Sequence, residues 1–181
     1  MNWVTDIYCL ADLPEKSVPW FEKVQKVTDA FYRAAKIVEI THRHEFISPD
    51  DDLIVISEPE LEKKSWIREV MISADGAPWC YALAVFPWEI FKSNETELLA
   101  LKNNFLGESF FYKQPEFKRT NLQYATCDHH NYFTKQIHKL VPSLKEVTNF
   151  TIRKSVFSRQ DEQIILYEAF LPTLNKDPIY E

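Results

Sequence analysis

The chain has 181 residues, 45% of them hydrophobic and 14% aromatic, with a formal net charge of −6. This is enough apolar material for one domain, expected over residues 1–181, while the acidity excludes a general nucleic-acid surface, which needs clustered Lys and Arg. Its two glycines, Gly76 and Gly107, are too few for the glycine-rich loops that cradle nucleotide phosphates, so the common nucleotide-dependent designs are excluded as well.

From the N-terminus, a helix is expected over about Pro19–Lys36. Pro19 suits a first turn, and Val24, Val27, Phe31 and Ala34 recur at helical spacing. A β-like stretch follows over Ile37–Ile47, then a turn at Ser48-Pro-Asp-Asp-Asp52 and a short strand over Leu53–Ser57. Trp66–Ala74 and Pro78–Phe86 read as two strands joined at Asp75-Gly76, a strong signal for a type I′ hairpin turn. Pro87 ends the second strand. A helix is expected over about Asn94–Asn103 with Ser93 as its N-cap, and a short helix near Leu106. Thr120–Thr126 reads as a strand and His129–Leu140 as a helix. Phe150–Phe157 and Gln163–Leu171 read as a closing antiparallel pair. Strands outnumber helices, and the pattern predicts an α+β domain: an antiparallel sheet with helices packed on one face.

Cys9, Cys80 and Cys127 are odd in number and form no CxxC pair, which suggests a reducing compartment. No basic-then-apolar leader opens the chain, and no apolar run reaches the ~18–20 residues of a membrane span. A cytoplasmic location is expected.

Strand parity singles out two charged residues. Arg68 shares a face with Trp66, Val70, Ile72 and Ala74. A guanidinium there needs an anionic partner, either a structural ion pair or a ligand carboxylate. Glu168 lies among apolar neighbours on both faces of its strand. It is either half of a buried salt bridge, conceivably with Arg68, or a carboxyl that handles a ligand hydroxyl or proton. Leu106-Gly107 offers a helix start, where free N–H groups favour an anion. His42, His44, His129 and His130 match no metal-ligand spacing, and no metal is expected. Cys80 reads as a small core residue.

Taken in order, Trp66-Ile-Arg-Glu-Val70, Ala74-Asp-Gly-Ala-Pro-Trp79, Val85-Phe-Pro87, Leu106-Gly107, Arg153-Lys-Ser155 and Tyr167-Glu-Ala-Phe-Leu-Pro172 resemble the bacterial chorismate pyruvate-lyase family. The resemblance runs from about Val24 to the C-terminus. It implies a mostly antiparallel six-stranded sheet with an internal, flap-covered ligand site. It implies a carbon–oxygen lyase that converts chorismate to 4-hydroxybenzoate and pyruvate for ubiquinone biosynthesis, as a monomer with no metal, organic cofactor, nucleic acid or membrane. Carried over by position, Arg68 holds the ring carboxylate, the Leu106 backbone meets the ligand, Glu168 faces the ring hydroxyl and Phe31 lines the site. Glu168 is expected to be protonated when the dianion is bound, since a carboxylate facing it in an apolar site is costly.

Two departures stand out. Members of the family often read Gly-Arg-Thr where this chain has Ala82-Leu83-Ala84. A two-residue Asp75-Gly76 loop places Leu83 opposite Arg68, so positive charge near the site is expected to be missing. The segment from Cys127 to Leu144 is longer than usual. The same fold also serves GntR-type regulators as an effector-sensing domain, which leaves an alternative: a non-catalytic module that binds an aromatic acid. The segment before Trp66 is too short in helices to supply the winged helix of such regulators.

Overall fold

A computed structural model describes residues 1–10, 18–48 and 64–174. The turn after Ser48 and the strand expected over Leu53–Ser57 lie outside the described residues.

The architecture is α+β. Six antiparallel strands form one sheet in the order β1-β2-β3-β6-β5-β4. They are β1 (Val38–Ser48), β2 (Ser65–Ala74), β3 (Ala77–Pro87), β4 (Lys118–Cys127), β5 (Phe150–Arg159) and β6 (Glu162–Phe170). The β2–β3 turn is as the sequence predicts: Asp75 has φ 49° and Gly76 φ 82°, the doubly positive backbone of a type I′ turn. Asp75 also accepts the backbone N–H groups of Lys36 and Ile37 at 3.0 and 3.1 Å, tying the start of β1 to the hairpin.

The helical segments differ from expectation in three places. The helix expected over Pro19–Lys36 is two helices, α1 (Val18–Glu22) and α2 (Val27–Ala34). The break has a tertiary cause. Arg153 Nη1 donates to the carbonyls of Trp20, Phe21 and Val24 at 3.3, 3.1 and 2.6 Å. A continuous helix would direct these oxygens to the N–H groups one turn on, and a cation at a helix C-terminus satisfies them instead. After Pro87 come two short helices, α3 (Trp88–Ser93) and α4 (Glu95–Leu99). Ser93 ends α3 and donates back to Glu89 O at 2.9 Å rather than capping a helix start. The last helix, α5 (Tyr132–Leu140), begins three residues later than expected, because the Asn131 side chain caps it by accepting from Phe133 N.

Helices were expected on one face, but they cover both. Phe133 and Ile137 of α5 pack with Ile67, Met71, Leu83 and Tyr167 on one face of the sheet. On the other face α1 and α2 pack over Val70, Ile72, Cys80 and Phe170, and α3 and α4 pack over Trp66 and Phe86. Every residue of β2 is buried, as a central strand covered on both sides requires.

Three bulges adjust the register. One falls between Ile40 and His42, one opposite Ile72–Ser73 and one between Arg119 and Asn121. The second lets Trp79 enter β3 as an extra residue, so Arg68 faces Ala84 and Leu83 faces Glu69. The expectation that Leu83 lies opposite Arg68 is therefore corrected. Leu83 is fully buried in the α5-side core, away from the face that carries Arg68.

Candidate active site

Directly opposed residues of antiparallel strands share a face. One row across the sheet reads Val70, Ala82, Glu168, Arg153, and the next reads Arg68, Ala84, Leu166, Ser155. Two alanines thus occupy the middle of the sheet, between an arginine on one side and a glutamate on the other. Their small side chains leave a cavity of ≈ 250 Å³. Val27 and Thr28 of α2 close it from above, together with Phe105, Leu106 and Gly107 at the start of a one-turn π-helix (Gly107–Phe111). Strand spacings place the Cα atoms of Arg68 and Glu168 about 12 Å apart across this floor, a span that two inward side chains and a six-membered ring can share.

Arg68 is 2% exposed. Its Nη1 pairs with Glu45 of β1, and its Nη2 donates to the carbonyls of Lys102 and Asn104 at 2.8 and 3.0 Å. Burial pulls its pKa down from the ordinary value, and the Glu45 carboxylate pulls it back up. The structural ion pair weighed from sequence is present. Even so, these three bonds leave two of the five guanidinium donors for a ligand.

Glu168 pairs with Arg153, not with Arg68. Arg153 Nε and Nη2 both donate to Glu168 Oε2, at 2.9 and 2.7 Å. Arg153 is completely buried. Among the described residues no hydrogen bond reaches Glu168 Oε1, and the residue lines the cavity. A buried carboxylate held by two guanidinium N–H groups has the partner it needs.

Leu106 lines the cavity. Phe31 does not. Its ring packs among Trp20, Trp79 and Phe170, and α2 presents Val27 and Thr28 to the cavity instead.

Sequence reasoning passed over two arginines. Arg153 falls inside the Arg153-Lys-Ser155 stretch that carries the resemblance, but its role needs the β5–β6 register, which places it opposite Glu168. Arg119 of β4 also lines the cavity. Tyr112 stands nearby, and burial, assisted by Asp29, pushes its hydroxyl up to about 12, so it is a neutral hydrogen-bonding group near pH 7.

The cysteines offer no nucleophile here. Burial pushes the Cys80 thiol well above its usual value and that of Cys127 to about 12. Among the described residues no cluster of three His, Cys, Asp or Glu could hold a metal ion, and no helix is long and apolar enough to cross a membrane.

A family model described as chorismate lyase matches residues 19–180. A probable chorismate pyruvate-lyase of Shewanella loihica is 31% identical over 114 residues, 60% of this chain and 56% of that protein. A chorismate pyruvate-lyase of Hamiltonella defensa is 25% identical over 175 residues, 93% of this chain and 83% of that protein. The chain thus spans little more than half of the Shewanella loihica relative. Among solved structures, a GntR-family transcriptional regulator from Bacillus cereus is similar at TM-score 0.49 and 9% identity, over 80% of this chain and 97% of that one. The ligand-binding domain of a putative GntR-family regulator from Bordetella bronchiseptica is similar at TM-score 0.47 and 11% identity, over 80% of this chain and 89% of that one. With the family model running from α1 through β6, the chain belongs to the chorismate lyase family.

Proposed function

We propose that the protein is a chorismate pyruvate-lyase that forms 4-hydroxybenzoate and pyruvate, and that it supplies ubiquinone biosynthesis as a cytoplasmic monomer. One observation carries the reading. An alanine-floored cavity has guanidinium donors of Arg68 at one side and the unengaged Oε1 of Glu168 at the other. A ring with a carboxylate opposite a hydroxyl fits that order of groups, the carboxylate on Arg68 and the hydroxyl donating to Glu168 Oε1.

In the reaction the bond between ring carbon 3 and the ether oxygen breaks and the hydrogen on ring carbon 4 leaves. The ring becomes aromatic, and the released enol carbon gains a hydrogen to become the methyl group of pyruvate. Aromatisation supplies much of the driving force. The protein's part is to hold the reactive conformer and to keep water out. Arg68 fixes the ring carboxylate by geometry as well as charge. Glu168 orients the hydroxyl on the carbon that loses hydrogen, and Arg153 keeps that carboxylate aimed. The backbone at Leu106 closes the site over the ring.

The test is to incubate the purified protein with chorismate and follow pyruvate and 4-hydroxybenzoate together. Both should appear in equal amounts. Arg68→Met should weaken 4-hydroxybenzoate binding roughly 10- to 100-fold, the worth of a charge-assisted pair of bonds. Glu168→Gln should lower kcat, with folding checked by circular dichroism. Tight 4-hydroxybenzoate binding without turnover would replace the lyase with the non-catalytic binding module. Neither binding nor turnover would remove both readings.

A further inference from the structure

Arg119 is a cation in the cavity wall that, among the described residues, no carboxylate contacts, although the charge of Glu168 reaches it across the cavity. Its Nη1 donates to Gln25 Oε1 at 3.0 Å, and its guanidinium lies 5.0 Å from the centre of the Phe157 ring. Its Nε is buried and has no hydrogen-bond partner. Among the described residues it pairs with no carboxylate, whereas Arg68 has Glu45, Arg153 has Glu168 and Arg159 has Glu116 and Glu162. Leaving a buried guanidinium N–H unsatisfied is unfavourable unless something else occupies that position at times.

The backbone shows how the side chain comes to be there. On β4, Leu122 and Tyr124 belong to the cavity-side core. Simple alternation would turn Arg119 to the opposite face. The bulge between Arg119 and Asn121 adds one residue, sets Arg119 opposite Phe157, and brings it onto the cavity. Bulges of this kind re-aim single side chains next to active sites.

Across the sheet the order is Arg68 on β2, Glu168 on β6 and Arg119 on β4, so the cavity has a charged donor on each side of the glutamate. We infer that Arg119 binds the second carboxylate of the substrate, the one on the enolpyruvyl arm, and so makes the site prefer a dianionic ring acid to a monoanionic one. The inference rests on the lyase reading for the identity of the arm. It gives substrate and product different grips. Chorismate engages both arginines. 4-Hydroxybenzoate keeps only the carboxylate on Arg68, and pyruvate departs with the group that Arg119 held.

The test uses two ligands that do not react: 4-hydroxybenzoate, and 3-(carboxymethoxy)-4-hydroxybenzoate, which adds an ether-linked carboxylate beside the hydroxyl. Their dissociation constants are measured by calorimetry for the wild type, Arg119→Gln and Arg119→Lys. The expected result is a roughly 10- to 100-fold loss for the dianion in Arg119→Gln, partial recovery in Arg119→Lys, and a change of less than about 3-fold for 4-hydroxybenzoate. KM for chorismate should rise with the dianion's dissociation constant. Equal loss for both ligands, or loss for neither, overturns the assignment. If Arg119→Gln does not fold, the wild type still decides: methyl esterification of the carboxymethoxy arm should weaken that ligand by the same factor, and an unchanged affinity overturns the proposal. A wild type that binds both ligands but does not turn over chorismate would sink the lyase reading alone, since the ratio of the two affinities still reports on Arg119.

Discussion

Among the described residues the two faces of the sheet each bury one glutamate, and they treat it differently. On the α5 face, Glu69 Oε1 accepts from the hydroxyls of Tyr81 (2.9 Å) and Tyr132, and Oε2 meets His44 Nδ1 at 3.3 Å. Both oxygens are engaged, and Met71, Tyr81, Leu83 and Tyr167 fill the space around them. On the cavity face, Glu168 gives one oxygen to Arg153 and keeps the other open, above alanines that fill nothing. The strands are the same, and alternate residues of β3 decide the outcome: Tyr81, Leu83 and Val85 pack one side, while Ala82 and Ala84 vacate the other. A buried carboxylate marks a site only when the surrounding packing leaves it work to do.

The comparison can be broken from either side. The largest effect is expected from Arg153→Met, which strands Glu168 and releases the carbonyls of Trp20, Phe21 and Val24. Removing one partner of a buried ion pair lowers stability by about 3–5 kcal/mol, readable as a shift of the urea midpoint. Next, exchanging the sizes of neighbouring β3 residues should separate packing from binding. Leu83→Ala should lose about 2–5 kcal/mol of stability through the cavity that it creates, with 4-hydroxybenzoate affinity retained. Ala84→Leu should fill the existing cavity and weaken that affinity by roughly 100-fold, about 2.7 kcal/mol, with stability held. An Ala84→Leu protein that still binds would show that the ligand sits elsewhere. The smallest effect is expected from Glu69→Gln, which keeps an acceptor for the two tyrosines: about 1–2 kcal/mol of stability and unchanged ligand binding.

Much of this contrast was legible in the sequence. Parity alone set Arg68 with Val70 and Ile72, and Glu168 with Ile164 and Leu166, because a period of two survives wherever a strand is regular. The Asp75-Gly76 turn was equally plain. What escaped notice depends on irregularity or on partners distant in sequence. One inserted residue at Trp79 moves Arg68 from Leu83 to Ala84. One at Thr120 turns Arg119 through to the cavity. The break between α1 and α2 is made by an arginine more than a hundred residues away. Local propensity carries no trace of such a contact.

Arg68 has one further connection. Its Nη2 group holds the carbonyls of Lys102 and Asn104, just before the segment that roofs the cavity, and Lys102 sits at φ 48°, a backbone that lysine seldom adopts. The guanidinium that the proposed function assigns to a bound carboxylate thus also clasps the chain leading into the roof. The roof segment and a ligand carboxylate would thus hang on different N–H groups of one guanidinium. Under the proposed function, release of the carboxylate is expected to be coupled to movement of the Lys102–Asn104 segment.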